Sequence, residues 1–367
     1  MSGCVSWEDR LGFNATTPSR AGLERMATAV TGSGARVVSV RRLTGGVDAS
    51  THAVRLEPGG WVVLKRSWTT SGRSLAEEFE RLRFAERLGV PTPVPIAVDV
   101  GGEWFDRPAL VMSRLPGRSA VHREPGRWVE DLAEALAAIH DVALPADLPV
   151  VLRAPHAGLA WRPPEPAKLR RTDRVERLVA VGLQLQHDLA TDPAKDVLLH
   201  HDFHHGNVTW RAARLAGVLD WSEARIGPAA SDVAYCSVDL AMTHGATTAH
   251  HFARAYQAAG GQELDDLPRW QALWITNDMR WVGYWVTGFR EAGLDDLTLP
   301  VLRRRLRAFA DNVLASLTRP GPTAPTTGRD RNAPYRRVGC LRAGVRSGAS
   351  VAQPSARSGL PGARIEA

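Results

Sequence analysis

The chain has 367 residues, 44% of them hydrophobic, which is long enough and apolar enough for more than one packed unit. Its formal charge of +7 invites a nucleic-acid or membrane reading, but residues 319–367 hold nine arginines against only Asp330 and Glu366. The excess therefore sits in the tail, residues 1–318 are balanced, and neither partner is expected. Cys4, Cys236 and Cys340 are odd in number and widely spaced, so they suggest neither a disulfide framework nor a cysteine metal motif.

Residues 1–20 read as a flexible start with no apolar leader, and no segment approaches the ~20 apolar residues of a membrane span. A soluble, cytoplasmic protein is expected. Apolar spacing predicts an entry helix over 20–32, followed by strands Val37–Leu43, Thr51–Leu56 and Trp61–Arg66 separated by glycine-containing turns, the first being Thr44-Gly45-Gly46. Ser74–Leu88 has a helical pattern, with Leu75, Phe79, Leu82, Phe84 and Ala85 apolar and Ser74 as its expected cap. Pro91, Pro93 and Pro95 end it. Strands Ile96–Val100 and Pro108–Ser113 complete a five-stranded sheet with one inserted helix.

Arg114-Leu115-Pro116-Gly117 breaks the pattern and reads as a hinge, beyond which the chain turns mainly helical. Helices are expected over Trp128–His140, 230–243, 247–258, 267–288 and 298–316, with a strand at Val218 between the first and second. The organisation is thus a first lobe over 21–113, a hinge over 114–117, a second lobe over 118–318 and a disordered tail over 319–367. Truncation after Leu317 should leave folding and turnover nearly unchanged, which soluble yield and activity of the shortened chain would check.

The chemistry concentrates in His200-His201-Asp202-Phe203-His204-His205-Gly206-Asn207, which fits the HxDxxxxN pattern of a kinase catalytic loop. Thirteen residues after Asn207, the run Gly217-Val218-Leu219 delivers Asp220. Asp202 could accept the proton of an attacking hydroxyl, worth about 10²- to 10⁴-fold, and Asn207 and Asp220 offer the oxygens that Mg²⁺ prefers. Lysine is scarce here: Lys65, Lys168 and Lys195 stand against 43 arginines. At the end of a strand, Lys65 therefore reads as a phosphate contact rather than a casual surface charge. Zinc is the competing reading of the four histidines, but adjacent histidines diverge and no HExxH pattern is present. His200 is assigned to loop packing, and His201 and His205 to the edge of an acceptor pocket.

From about Leu43 to about Phe309 the sequence resembles the aminoglycoside phosphotransferase and choline kinase-like family. That resemblance implies a bilobal, protein-kinase-like α+β fold: a small five-stranded antiparallel sheet plus a helix in the N-lobe, and a mainly helical C-lobe. It places Leu43-Thr44-Gly45-Gly46 over the nucleotide and gives Lys65, in Val62-Val63-Leu64-Lys65, to its phosphates. Glu77, Glu78 and Glu80 compete to orient that lysine, and the spacing to the following proline favours Glu78. Leu110–Gly117 resembles the linker that meets adenine, Leu136–His140 the helix beneath the catalytic loop, and Asp232 the acid that steadies it. The implied co-substrate is ATP, or GTP, with Mg²⁺, and the implied acceptor a small aminoglycoside-like or amino-alcohol molecule carrying a hydroxyl. His201 and His205 depart from the family, where glycine and proline are common.

Trp270, Trp274, Asp278, Trp281 and Trp285 recur at intervals of four, four, three and four, which puts them on one helical face. Two readings stay open: a core stripe, or part of an acceptor pocket to which Asp278, Trp281 and His205 contribute. The alternative to an enzyme is a catalytically silent kinase-like binding or regulatory protein. The intact set of Lys65, Asp202, Asn207 and Asp220 speaks against it.

Overall fold

Valine-rich, alternating segments build the first half of the protein. In a computed structural model, which describes residues 12–32, 34–43, 49–119, 122–153, 172–191, 196–264, 266–291 and 293–318, they form strands β1 (Arg36–Arg42), β2 (Ala49–Glu57), β3 (Gly60–Ser67), β4 (Pro95–Asp99) and β5 (Ala109–Ser113). All pairings are antiparallel, in the order β1-β2-β3-β5-β4. Alternation along β3 turns Val62 and Leu64 to one face and Val63 and Lys65 to the other. The first face packs with helix α1 (Arg20–Thr31), which buries Leu23, Met26 and Ala27 at helical spacing, and with Val54, Leu56 and Val111. Ser19 caps α1, its Oγ accepting from the Gly22 N–H at 3.2 Å.

Helix α2 (Arg73–Arg87) lies in the connection between β3 and β4 and buries Leu75, Glu78, Leu82, Phe84 and Ala85. Its cap differs from expectation. Gly72 is the N-cap, no side chain caps the helix, and Ser74 is already inside it. Strand and helix ends elsewhere lie within about three residues of their expected positions, as fraying ends do. The Gly45-Gly46 turn and the tail fall outside the described residues.

After Gly117 the chain forms α3 (Trp128–His140), α4 (Asp173–Thr191), β6 (Asp196–Leu199), β7 (Val208–Arg211), β8 (Arg214–Val218) and β9 (Arg225–Pro228), then α5 (Ala229–His244), α6 (Ala246–Ala258), α7 (Leu267–Glu291) and α8 (Leu299–Leu317). Strand β8 is the one expected at Val218, whereas helix α4, strands β6, β7 and β9 and the pairing into ribbons β6–β9 and β7–β8 were not anticipated. Each ribbon strand has only four or five residues, too few to show a period. The larger core is continuous, running from Leu75, Leu82 and Phe84 on α2 through Leu132 and Leu136 on α3 to Phe309 on α8.

The hinge region is tied to the ribbon that carries the catalytic loop. Arg118 and Trp210 exchange both backbone hydrogen bonds, at 3.0 and 2.9 Å, and Ser119 Oγ donates to the Gly206 carbonyl at 2.8 Å. Gly117 precedes this bridge with φ at +89°, and a Cβ there would lie 2.4 Å from the Trp210 carbonyl oxygen. Glycine is required on both counts.

Candidate active site

Three elements converge: β3, α2 and the segment from β6 to Trp221. Lys65 Nζ reaches both carboxylate oxygens of Glu78 at 2.9 Å and Asp220 Oδ1 at 3.1 Å. Of the three competing glutamates, Glu78 is the one that meets the lysine, because it alone points inward from α2 and is 2% exposed. Glu77 pairs with Arg73 and Glu80 with Arg83. Burial alone would drive the proton off Lys65, but Asp220 and Glu78 outweigh it and hold the ammonium above its ordinary range. Burial likewise works against an ionised Asp220, yet the Lys65 charge prevails and keeps it at about 2. Both therefore stay charged at neutral pH.

The catalytic loop is held from below by one buried carboxylate. Asp232, near the start of α5, accepts from the His200 N–H at 2.7 Å and the His201 N–H at 2.9 Å, and lies 3.3 Å from His140 Nε2 on α3. His200 Nε2 meets the Leu219 carbonyl at 2.7 Å, and the Leu219 N–H donates to the Asn207 carbonyl at 2.7 Å. These bonds lock the two acid-bearing segments together. His201 and Asp220 both have positive φ, 66° and 55°, a conformation uncommon outside glycine that persists where surroundings fix it.

Asp202 has two donors. Tyr235 Oη donates to Oδ1 at 2.5 Å, within the range of a charge-assisted O–H bond, and Asn207 Nδ2 donates to Oδ2 at 2.9 Å. Burial, then the nearby Asp220 charge, push the Asp202 carboxyl up to about 7 despite these donors. With its amide nitrogen committed to Asp202, Asn207 has its side-chain oxygen left to offer a cation. Asn207 and Asp220 thus fit a hard divalent ion by donor type.

Tyr235 and Asp239 escaped the sequence reading. They follow Asp232 at i+3 and i+7 on α5, so all three lie on one helical face toward the catalytic loop. Polar residues at that spacing in an otherwise apolar helix were the available signal. On α7, Trp270 and Trp274 are buried in the core and Trp285 packs against it, while the Trp281 side chain lies outside the described residues. Trp274 also touches the rings of His201 and Tyr235, at 5.1 and 4.8 Å between centroids. Asp278 is buried as well, its Oδ1 accepting from Asn277 Nδ2 at 3.4 Å, and burial followed by the Asp239 charge raises it well above the carboxylate range. His205 does not edge an open pocket. It is 1% exposed and faces Asp239.

A two-part kinase-like fold with a buried Lys–Glu pair beside an Asp–Asn loop defines a class, that of kinase-like phosphotransferases. Residues 39–273 match the family described as the phosphotransferase enzyme family, more than half of the chain, and the protein belongs to that family. No curated protein matches it. Among solved structures, it is similar to spectinomycin phosphotransferase APH(9)-Ia in complex with ADP and spectinomycin, with a TM-score of 0.56 at 14% identity over 82% of this chain and 99% of that one. A thermostable mutant of aminoglycoside phosphotransferase APH(4)-Ia gives 0.51 at 17%, covering 79% and 98%. The gentamicin complex of APH(2")-IIa also gives 0.51 at 17%, covering 82% and 97%. At these identities the likeness is one of fold.

Proposed function

We propose that the protein is a small-molecule kinase that transfers the γ-phosphoryl group of ATP, or GTP, to a hydroxyl of an aminoglycoside-like or amino-alcohol acceptor. The observation that carries this reading is the single ammonium of Lys65 shared between Glu78 and Asp220, with Asp202 and Asn207 bonded to each other in the adjoining loop. A purely binding role would require none of these four carboxylate and amide placements. In this reading residues 21–113 are the nucleotide lobe, 114–117 the hinge and 118–318 the acceptor lobe.

Lys65, oriented by Glu78, contacts the phosphate oxygens as a point charge. Asn207 and Asp220 would hold the Mg²⁺ that enters with the nucleotide, which supplies positive charge to the phosphates. Asp202 accepts the proton of the acceptor hydroxyl as phosphorus–oxygen bond formation proceeds. A carboxyl near 7 suits that task, being largely ionised just above neutrality yet basic enough to take the proton. Tyr235 and Asn207 fix its orientation.

Asp278 supports a cationic acceptor. Burial and the Asp239 charge hold its carboxyl well above the ordinary carboxylate range, an incoming ammonium would favour its ionised form, and the nearby Asp239 and Asp202 add negative potential. Asp278→Asn should raise the acceptor's KM roughly ten- to a hundredfold, the worth of a charge-assisted hydrogen bond, and leave the nucleotide's KM unchanged. Equal effects on both constants would remove Asp278 from the acceptor site. The function itself is tested by nucleotide consumption with purified protein against hydroxylated antibiotics, amino alcohols and sugars, with mass detection of a phosphorylated product. Consumption with none of these acceptors would favour the silent binding protein.

A further inference from the structure

His205 stands where the resembling family commonly has proline, and the phosphoryl-transfer scheme has no use for it. Its ring is 1% exposed, Nδ1 is paired with Asp239 Oδ2, and Nε2 has no hydrogen-bond partner. Buried polar groups are nearly always bonded, and one that is not calls for an explanation, a bound ion among them. Asp239 Oδ2 lies 2.7 Å from His205 Nδ1. A carboxylate and an imidazole held this close can, once the proton between them leaves, both turn lone pairs toward a third centre.

That centre has a further donor beside it. His204, His205 and Asp239 each offer one ligand atom, and these atoms lie within 4.8 Å of one another. The rings of His204 and His205 stand at 84° to each other with centroids 6.0 Å apart, so the two imidazoles approach from different directions. Tetrahedral zinc with bonds of about 2.0–2.2 Å needs its ligand atoms about 3.3–3.6 Å apart, which small rotations about these side-chain bonds supply. Trp128 and His244 pack around His205, with centroids at 6.1 and 5.4 Å, and keep the site partly dry.

We propose that His204, His205 and Asp239 form a binding site for a divalent transition-metal ion of the Zn²⁺ class, distinct from the Asn207–Asp220 pair. Two imidazoles and one carboxylate favour zinc over magnesium, whereas an amide and a carboxylate oxygen favour the harder ion. Three protein ligands leave a fourth position for water or another small donor. Binding releases whatever proton lies between His205 and Asp239, and ligation through His204 Nδ1 would replace the bond this atom now accepts from the Gly206 N–H at 3.1 Å. The ion would therefore clamp the segment between Asp202 and Asn207 to α5. The site depends on no particular acceptor, and its test needs none.

The experiment uses untagged full-length protein, stripped with a chelator and titrated with Co²⁺ and then Zn²⁺ in excess Mg²⁺. One Co²⁺ per chain should bind with the intense visible bands of a four-coordinate ion, Zn²⁺ should displace it, and the thermal midpoint should rise with metal. X-ray absorption of the loaded wild-type protein should show two imidazoles in the first coordination sphere. His205→Pro, which installs the residue common in the resembling family, and Asp239→Asn should each weaken Zn²⁺ binding roughly tenfold or more, and His251→Ala, at a half-buried position on another helix, should not. A wild-type protein that takes up no ion at micromolar free metal overturns the proposal. So does a coordination sphere without two imidazoles, or undiminished binding in a folded His205→Pro or Asp239→Asn variant.

Discussion

Asp202→Asn is expected to lower kcat by about 10²- to 10⁴-fold while nucleotide binding persists. The substitution is well tolerated sterically, for a specific reason. An amide oriented with its oxygen toward Asn207 Nδ2 places its NH₂ against Tyr235 Oη, and a phenol can accept as well as donate. Shape and contacts survive, and only the capacity to take a proton is lost. Wild-type kcat should rise with pH through about 7, where the Asp202 carboxyl ionises, and the residual rate of the variant should lack that step. Stability has the opposite sign. Because the folded value is raised above the ordinary carboxylate value, this group's contribution is fully present below about pH 4 and is lost as pH climbs through about 7. The variant mimics the protonated acid, so at pH 8 it should melt no lower than wild type. A variant that turned over acceptor at the wild-type rate would remove Asp202 from the role of base.

Lys65→Ala carries the second large effect, and it acts on the fold as well as the reaction. Removing the ammonium leaves Glu78, 2% exposed, without solvent or its hydrogen-bonded partner, and leaves Asp220 facing it. Breaking a buried pair from one side destabilises by about 3–5 kcal/mol, chiefly through the abandoned charge. Phosphorylation should be lost through misplacement of the phosphates, and the melting temperature should fall several degrees. Lys65→Met combined with Glu78→Leu separates the two consequences. It removes both buried charges and should recover most of the stability without any recovery of activity. If Lys65→Ala melted with the wild type, the pair would not be buried in solution.

How much of this could be read in the sequence depended on the kind of signal each residue leaves. Lys65 was legible because lysine is scarce in this chain, and Asp202, Asn207 and Asp220 because their chemistry demands fixed intervals. Glu78 was legible only to within three candidates, since a glutamate on a helix looks the same in sequence whether it faces inward or out; burial separated them. The sheet was legible from period and turns. Of the ribbons around the catalytic loop only the Val218 strand was, because the four-residue strands leave no period and are held by bonds such as Arg118 to Trp210 that join distant segments. Tyr235 and Asp239 were hidden for a different reason. An aromatic or a lone acid on a buried helix reads as packing or as an edge until the loop it faces is placed in space.

The contacts of α2 reach past the ion pair it supports. Arg81, one turn after Glu78, donates to the Ser222 carbonyl at 2.5 Å and to the Val151 carbonyl at 3.4 Å, and so fastens the helix to the chain just beyond Asp220. The apolar side of the same helix is shared with the continuous core. In switched kinases the corresponding helix swings outward to break its lysine contact and inward to restore it. Here an outward swing would tear Arg81 from two carbonyls and expose Leu75, Leu82 and Phe84 at once, at about 25 cal/mol for each Å² of apolar surface uncovered. The helix is bolted in its working position. On the proposed kinase reading, switching by movement of this helix would break contacts on both of its sides at once.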